Sequence, residues 1–136
     1  MKTLVIYYSY TGHTREIATA LAKSESADIM EVKAEKHPGK LKAYLAGCFA
    51  ARRGKAWPIQ PLDADLAAYE RLILMSPVWA SCPPPFVHAV LEQLPAGKIV
   101  SVKMIAASGK SGCKDRIEAV IKAKGCTMGS FEEIKA

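Results

Sequence analysis

The alternation of strand-like and helix-like segments is the feature that most restricts how this chain can fold. Five largely β-type segments alternate with four segments whose apolar residues recur at helical spacing, without a linker, a repeat or a low-complexity stretch. This alternation is typical of an α/β domain built on a parallel sheet. The 136 residues are enough for one such domain over 1–136 and too few for two.

The distribution of charge among the strands predicts their order in the sheet. The segments near Leu4–Tyr8, Leu72–Met75 and Val100–Ala106 are largely apolar, whereas those near Asp28–Lys33 and Thr127–Ile134 carry several charged residues. Central parallel strands are buried on both faces, and edge strands tolerate charge. With right-handed crossovers, the sequence therefore predicts a five-stranded parallel sheet of order 2-1-3-4-5 with helices on both faces.

The connection between the first strand and the first helix, Ser9–Thr14, has the composition of a phosphate-binding loop. It holds three hydroxyl side chains and one glycine within six residues, and helical spacing of apolar residues begins directly after it. A helix N-terminus presents unpaired N–H groups and a partial positive charge, which together favour an anion. The alternative is a plain strand-to-helix turn in which Thr11 caps the helix.

Two later connections are expected to lie beside this loop. In a sheet of order 2-1-3-4-5, the chain reverses direction between the first and third strands, and ligands bind outside the carboxyl ends of the strands at that point. The segments Ser76–Pro83 and Ala107–Cys113 follow the third and fourth strands, and both contain small or hydroxyl residues. The three loops together predict one ligand crevice.

The same three loops carry a resemblance to a known family. The pattern Ser9-x-Thr11-Gly12-x-Thr14 after an apolar N-terminal strand resembles the phosphate loop of the flavodoxin family. Leu74–Ala80, with its Pro-Val-Trp, resembles the second flavin-contacting loop of that family, and Ala107–Gly112 resembles the third. The similarity spans essentially the whole chain, and it implies a three-layer flavodoxin-like sandwich that binds FMN.

The resemblance also implies a role for each loop. The FMN phosphate is expected in Ser9–Thr14, with Trp79 stacked on the flavin ring and Tyr10 over the crevice. Backbone groups near Trp79 and in the third loop are expected to meet the pyrimidine edge. The predicted cofactor-binding residues are Ser9, Tyr10, Thr11, Gly12, His13, Thr14, Pro77, Val78, Trp79, Ala80, Ser108, Gly109 and Gly112.

Two other nucleotide-binding motifs are excluded by their spacing. Gly109-Lys110-Ser111 imitates the end of a Walker A motif, but that motif needs a glycine five residues before Gly109, where Met104 stands. The dinucleotide fingerprint G-x-G-x-x-G does not occur in the sequence. We therefore do not expect a nucleoside triphosphatase.

The four cysteines do not form a recognisable metal or disulfide pattern. They contain no C-x-x-C pair, so we expect neither a metal site nor a disulfide framework. Cys82 and Cys113 lie in the second and third loops, where either thiol would be open to oxidation. Cys48 is expected to serve packing.

The basic charge is concentrated in one part of the chain. The net charge is +6, and seven lysines and arginines fall within Lys33–Lys55. Aromatic residues do not alternate with these charges as stacking platforms would, so we interpret the stretch as a solvated helix face and expect no nucleic-acid partner. The apolar residues at helical spacing in this stretch predict a core-facing stripe: Leu41, Tyr44, Leu45, Cys48 and Phe49.

The sequence also bears on location. No apolar run approaches the roughly 18 residues that a membrane-spanning helix needs, and the N-terminal apolar run is too short for a signal peptide. We therefore expect a cytoplasmic protein with no membrane partner, either a monomer or a homodimer.

Three functions remain open at this point. The first is electron transfer through bound FMN to a redox partner protein or a small acceptor, which demands no catalytic acid, base or nucleophile from the chain. The second is an FMN-dependent NAD(P)H:quinone-type oxidoreductase. The third is a binding module that keeps the fold without the cofactor. Flavodoxins that serve as electron carriers are typically acidic, so the basic charge of this chain indicates different partners or a small substrate.

Overall fold

The five strands form one parallel sheet, in the order predicted from the sequence. The computed structural model describes residues 2–135, with only the backbone of Tyr44. Numbered along the chain, the strands lie in the order 2-1-3-4-5, and the two charged strands lie at the edges, as predicted. The strands are β1 (Thr3–Tyr7), β2 (Asp28–Glu31), β3 (Arg71–Pro77), β4 (Ile99–Ala106) and β5 (Thr127–Lys135).

The helices follow the strands in alternation. Three consecutive helical pieces between Lys40 and Arg53 form one uninterrupted segment that we call the 40–53 helix. Within residues 2–135, every helix is too short or too polar to cross a bilayer. The elements are α1 (His13–Ser24), α2 (Lys40–Lys42), the π turn (Ala43–Gly47), α3 (Cys48–Arg53), a 3-10 turn (Leu66–Ala68), α4 (Pro85–Glu92) and α5 (Lys114–Ala123).

The side chains of the central strands alternate between two core layers. On β1, Leu4 and Ile6 pack in the larger layer with residues of α3, α4 and α5, while Val5 and Tyr7 pack against α1 in the smaller one. The strands β3 and β4 follow the same alternation. Both faces of the central strands are covered, which explains why their sequences are near-continuous apolar runs.

The pairing of β1 with β3 positions the crevice. Register runs from Thr3 opposite Arg71 to Tyr7 opposite Met75, and β2 lies on the other side of β1. The chain therefore leaves β1 towards one edge of the sheet and later crosses to β3 on the opposite side. The loops after β1 and β3 separate at this point and leave an opening between them.

The predicted core-facing stripe of the 40–53 helix is wrong. Leu41, Leu45 and Phe49 are 72%, 60% and 59% exposed, and Cys48 is half-buried. The Tyr44 side chain lies outside the described residues. The helix instead packs through small buried residues, which are Ala43, Gly47, Ala50 and Ala51. A close approach to the core needs small side chains on the inner face, and the larger ones consequently point outwards.

A buried histidine joins the 40–53 helix to α4. His88 is 6% exposed, and its Nε2–H donates to the Ala51 carbonyl at 3.1 Å. Burial is the main cause that lowers the pKa of His88 below its usual value. The neutral imidazole is therefore the form that the fold accommodates.

This burial predicts a loss of stability in mild acid. The unfolded chain takes up a proton at His88 near pH 6.5 and the folded chain does so only at lower pH, so the free energy of unfolding falls as the pH drops below about 6.5. We expect His88→Gln to show a smaller difference in urea-unfolding free energy between pH 7.5 and pH 5 than the wild type. The same substitution at an exposed position, His37→Gln, is the matched control. Equal pH dependence in His88→Gln and wild type would show that His88 does not cause the loss of stability in acid.

Candidate functional site

A cleft of about 550 Å³ lies at the carboxyl ends of β1, β3 and β4. All three predicted loops contribute to its walls, which brings together residues that are about 65 and 30 positions apart in the chain. Its lining residues are Tyr10, Thr11, His13, Thr14, Pro77, Val78, Trp79, Ser81, Ile105, Ala106, Ala107, Ser108 and Lys110.

The start of α1 opens into this cleft without a side-chain cap. The N-cap residue is Gly12 with φ of +101°, a left-handed conformation that glycine adopts easily, and no side chain caps the helix. The alternative of a Thr11 cap is therefore wrong. Ser9 closes the turn instead, since its Oγ accepts from the Gly12 N–H at 2.9 Å. The first amides of a 12-residue helix remain available to a ligand, beside the hydroxyls of Thr11 and Thr14.

Aromatic rings form one wall of the cleft. Trp79 meets Tyr10 edge to face, with ring centroids 5.7 Å apart. The Tyr10 hydroxyl donates to the Pro38 carbonyl at 3.1 Å, and its ring stacks on His37 at 5.0 Å. Behind Trp79 lie the rings of Tyr8 and Phe86. These contacts fix the orientation of Trp79 at the cleft.

A tight turn carries Trp79 into the site. Trp79 and Cys82 exchange backbone hydrogen bonds of 2.7 and 3.1 Å across the intervening Ala80 and Ser81. Both of these residues have positive φ, +51° and +71°, although neither is glycine. Left-handed conformations of this kind cost of order 1–3 kcal/mol each and persist only where surrounding contacts hold them.

A disulfide supplies such a contact and overturns one expectation from the sequence. Cys82 and Cys113 are bonded, with Cα atoms 5.1 Å apart, and both residues are buried. The bond joins the second loop to the third, and the Gly112 N–H donates to the Ser81 carbonyl at 2.9 Å beside it. The spacing of cysteines in the sequence gave no sign of this pair, because the two residues meet only through the pairing of β3 with β4.

The third loop adds a cation and a carboxylate contact. Lys110 lines the cleft, and the Ser111 N–H donates to the Glu133 carboxylate, which reaches the loop from β5. The Ser111 hydroxyl is buried without a partner among the described residues. A buried hydroxyl without a protein partner is able to form a hydrogen bond to water or to a ligand.

The charge on the cleft walls is positive or neutral. Lys110 and His13 are the ionisable residues of the lining besides Tyr10, and no carboxylate is among the lining residues described. Behind the wall, burial raises the pKa of the Tyr8 hydroxyl, which keeps that group neutral. The cleft therefore suits an anionic ligand with an apolar flat part.

The structure brings eight of the thirteen predicted residues to the cleft lining: Tyr10, Thr11, His13, Thr14, Pro77, Val78, Trp79 and Ser108. The other five are outside the lining. Ser9 and Gly12 shape the first turn, Ala80 borders an outer hollow, and Gly109 and Gly112 pack against Lys135 and Ser81. Their predicted contact with a cofactor stays a prediction.

Five lining residues were not among those predicted: Ser81, Ile105, Ala106, Ala107 and Lys110. Lys110 had a visible signal, because it stands in the loop between a strand and a helix. Ile105 and Ala106 are the last residues of β4, and only the depth of the cleft shows that a strand end contributes.

Comparison with known proteins places the fold. No family model matches the chain, and no curated protein matches it either. Among solved structures, a flavoprotein from Lactobacillus acidophilus NCFM in complex with FMN has a TM-score of 0.72 at 23% identity, over 96% of this chain and 91% of that one.

Two further structures have similar coverage. The flavodoxin of Streptococcus pneumoniae TIGR4 gives a TM-score of 0.61 at 17% identity, over 100% of this chain and 87% of that one. An NADPH-quinone reductase of P. pentosaceus gives a TM-score of 0.63 at 12% identity, over 99% of this chain and 85% of that one. At these identities the likeness establishes the fold, which is flavodoxin-like, as predicted.

Removing the disulfide should loosen both loops at once. Cys82 and Cys113 are 31 residues apart, and closing a loop of this length contributes typically about 2–4 kcal/mol to stability. We expect the variant Cys82→Ser/Cys113→Ser to lose stability of this order in urea unfolding. Amide hydrogen exchange should accelerate in segments 77–84 and 107–113 more than in the strands. Cys48→Ser serves as the control. Unchanged hydrogen exchange in the two loops would show that the disulfide does not hold them in place.

Substitution of Gly47 should displace Trp79. A Cβ at Gly47 would lie 2.7 Å from Cζ3 of the Trp79 ring, so the ring and the helix must shift relative to each other. We expect Gly47→Ala to change the tryptophan fluorescence spectrum while the far-UV circular dichroism stays as in wild type. Gly39 has open space around its Cβ position, and Gly39→Ala is the matched control. An unchanged spectrum in Gly47→Ala would show that the two residues do not touch.

Proposed function

We propose that this protein binds FMN in the cleft and transfers electrons through it. The single observation that carries the proposal is the convergence of an uncapped helix start, hydroxyl side chains and an aromatic wall in one cleft of a flavodoxin-like fold. A volume of about 550 Å³ lies within the roughly 300–1,000 Å³ usual for small-molecule sites. The likeness to a flavoprotein crystallised with FMN supports the same ligand here.

The phosphate is proposed to bind at the start of α1. The free amides there carry the positive end of the helix dipole, and Thr11 and Thr14 add hydroxyl donors. His13 and Lys110 supply nearby groups that are positive or can become so, without opposing carboxylates in the lining. The residues of this part of the cleft therefore fit a phosphate ester.

The flavin ring is proposed to lie against the Trp79 side of the cleft. A flat apolar ring gains contact area on an aromatic surface, and Trp79 is held in place by Tyr8, Tyr10 and Phe86. Bound FMN would supply the redox chemistry of the protein. The chain contributes binding, orientation and exclusion of water by the disulfide-joined loops.

Titration of the protein with FMN and with riboflavin tests both halves of this proposal. Riboflavin lacks the phosphate, so Thr11→Val should weaken FMN binding about 10-fold or more and leave riboflavin binding within 2-fold of wild type. Flavin fluorescence during the titration measures both dissociation constants.

Two further variants complete the titration. Thr19→Val, which removes an exposed hydroxyl elsewhere on α1, should leave both constants unchanged. Trp79→Ala should weaken FMN and riboflavin alike. A wild-type protein that binds neither compound at about 100 µM would reject the proposal and leave the cofactor-free binding module.

A second candidate is an FMN-dependent NAD(P)H:quinone-type oxidoreductase. The likeness to an NADPH-quinone reductase favours it, as does the basic net charge, which is unlike that of acidic electron carriers. Steady-state oxidation of NADPH by the FMN-loaded protein with a soluble quinone decides between the two. Turnover well above that of free FMN identifies the enzyme, and its absence leaves the electron carrier.

A further inference from the structure

The 40–53 helix presents its large apolar side chains to solvent. Leu41, Leu45 and Phe49 are spaced four residues apart, so they lie along one face of the helix. We call these three residues the 41/45/49 patch. A surface helix normally buries such residues and exposes polar ones, and a contiguous exposed apolar patch marks an interaction site.

The charge around this patch accounts for the net charge of the whole protein. Segment 36–62 holds six lysines and arginines and no aspartate or glutamate, while the remaining 13 basic and 13 acidic residues of the chain cancel. Lys40 and Lys42 stand on either side of Leu41, the first residue of the patch, and Arg52 and Arg53 follow Phe49, its last residue. None of the ion pairs found within residues 2–135 involves a cation of this segment. Two of the cations lie over aromatic rings, Arg53 over Phe49 at 4.4 Å and Lys42 over Trp57 at 5.4 Å, and such contacts leave the charge without a carboxylate partner. The positive groups are therefore available to an outside partner.

The patch borders the cleft. One hollow of about 480 Å³ is formed by Leu45, Phe49, Arg52, Cys48 and Ala80, so it runs from the patch to the turn that carries Trp79. A smaller hollow of about 240 Å³ lies between the helix and the two aromatic residues of the cleft wall, Tyr10 and Trp79. A molecule seated on the patch would lie directly beside the cleft.

We propose that the 41/45/49 patch is the docking surface for a protein partner whose contact face has carboxylates around an apolar centre. The apolar centre would cover Leu41, Leu45 and Phe49, and the carboxylates would pair with the flanking lysines and arginines. The identification of this partner as the redox partner of the protein rests on the proposed function. The binding itself does not require FMN.

Charge and shape favour this occupant over the two alternatives. A second copy would bring two basic rims face to face, and like charges oppose that contact. A membrane surface would also accept exposed apolar side chains flanked by basic residues, but lipid needs no recess on the protein surface. Here hollows lie beside the apolar residues, and side chains of a partner protein can enter them.

The test uses a defined acidic probe, the soluble haem domain of cytochrome b5, a small one-electron carrier. Its dissociation constant is measured by isothermal titration calorimetry in low salt, for the protein without FMN and with FMN. The apolar variant is Leu41→Gln/Leu45→Gln/Phe49→Gln, and the charge variant is Lys40→Gln/Arg52→Gln/Arg53→Gln. The control Lys23→Gln/Lys114→Gln/Lys122→Gln removes the same number of exposed charges elsewhere.

Saturable binding that weakens at least 5-fold in both patch variants and less than 2-fold in the control supports the proposal. Absence of binding, or equal weakening in the control, overturns it. Two further measurements, each made on the wild type and on the apolar variant, would overturn the proposal by assigning the patch to another occupant. Dimers in sedimentation velocity that the apolar variant loses would show a second copy. Patch-dependent co-sedimentation with vesicles of phosphatidylcholine and 30% phosphatidylserine would show a membrane surface.

The test separates the docking proposal from the function. Binding of the probe by protein that fails to bind FMN would retain the docking surface and reject the flavin. FMN binding without probe binding would retain the flavin and reject the docking surface.

Discussion

Parallel pairing of β1 with β3 is the constraint on which the rest of the structure depends. Since β2 occupies the other side of β1, the connections after β1 and β3 must leave in opposite directions. The gap between them is a place at the carboxyl ends where a ligand can enter between two loops. The uncapped start of α1 and the turn at Trp79 both derive their positions from this pairing.

The disulfide and the 40–53 helix set the finer shape of the cleft. Two successive residues with positive φ would be a weak support for Trp79 if the loop were free. The bond between Cys82 and Cys113 fixes that loop to its neighbour, and Gly47 allows the helix to approach the indole ring. The ring is thus held by contacts from three separate parts of the chain.

The approach of that helix also explains the unusual surface next to the cleft. Small residues face the core, so the helix lies close to it, and the three large apolar residues remain outside. Their exposure to water carries a free-energy cost, and basic residues surround them. Packing at the site and the chemistry of the outer surface are therefore two consequences of one helix orientation.

The sequence by itself determined the architecture and the outline of the site. Short apolar runs such as Leu72–Met75 are typical of strands buried on both faces, and charge marked β2 and β5 as edges, so the strand order followed. The loops at Ser9, Ser76 and Ala107 could also be located, because each begins where a predicted strand ends. These inferences depend on local periodicity and charge, which the sequence displays directly.

The tertiary structure alone decided which face of a helix is buried and which distant residues meet. The helical spacing of Leu41, Leu45 and Phe49 shows that they share one face of the helix. Whether that face points to the core or to solvent depends on packing, and here the small residues Ala43 and Gly47 pack on the core side. Likewise, Cys82 and Cys113 come within bonding distance only because β3 and β4 are neighbours in register. Contacts between residues far apart in the chain are set by packing, and periodicity along the sequence carries no information about them.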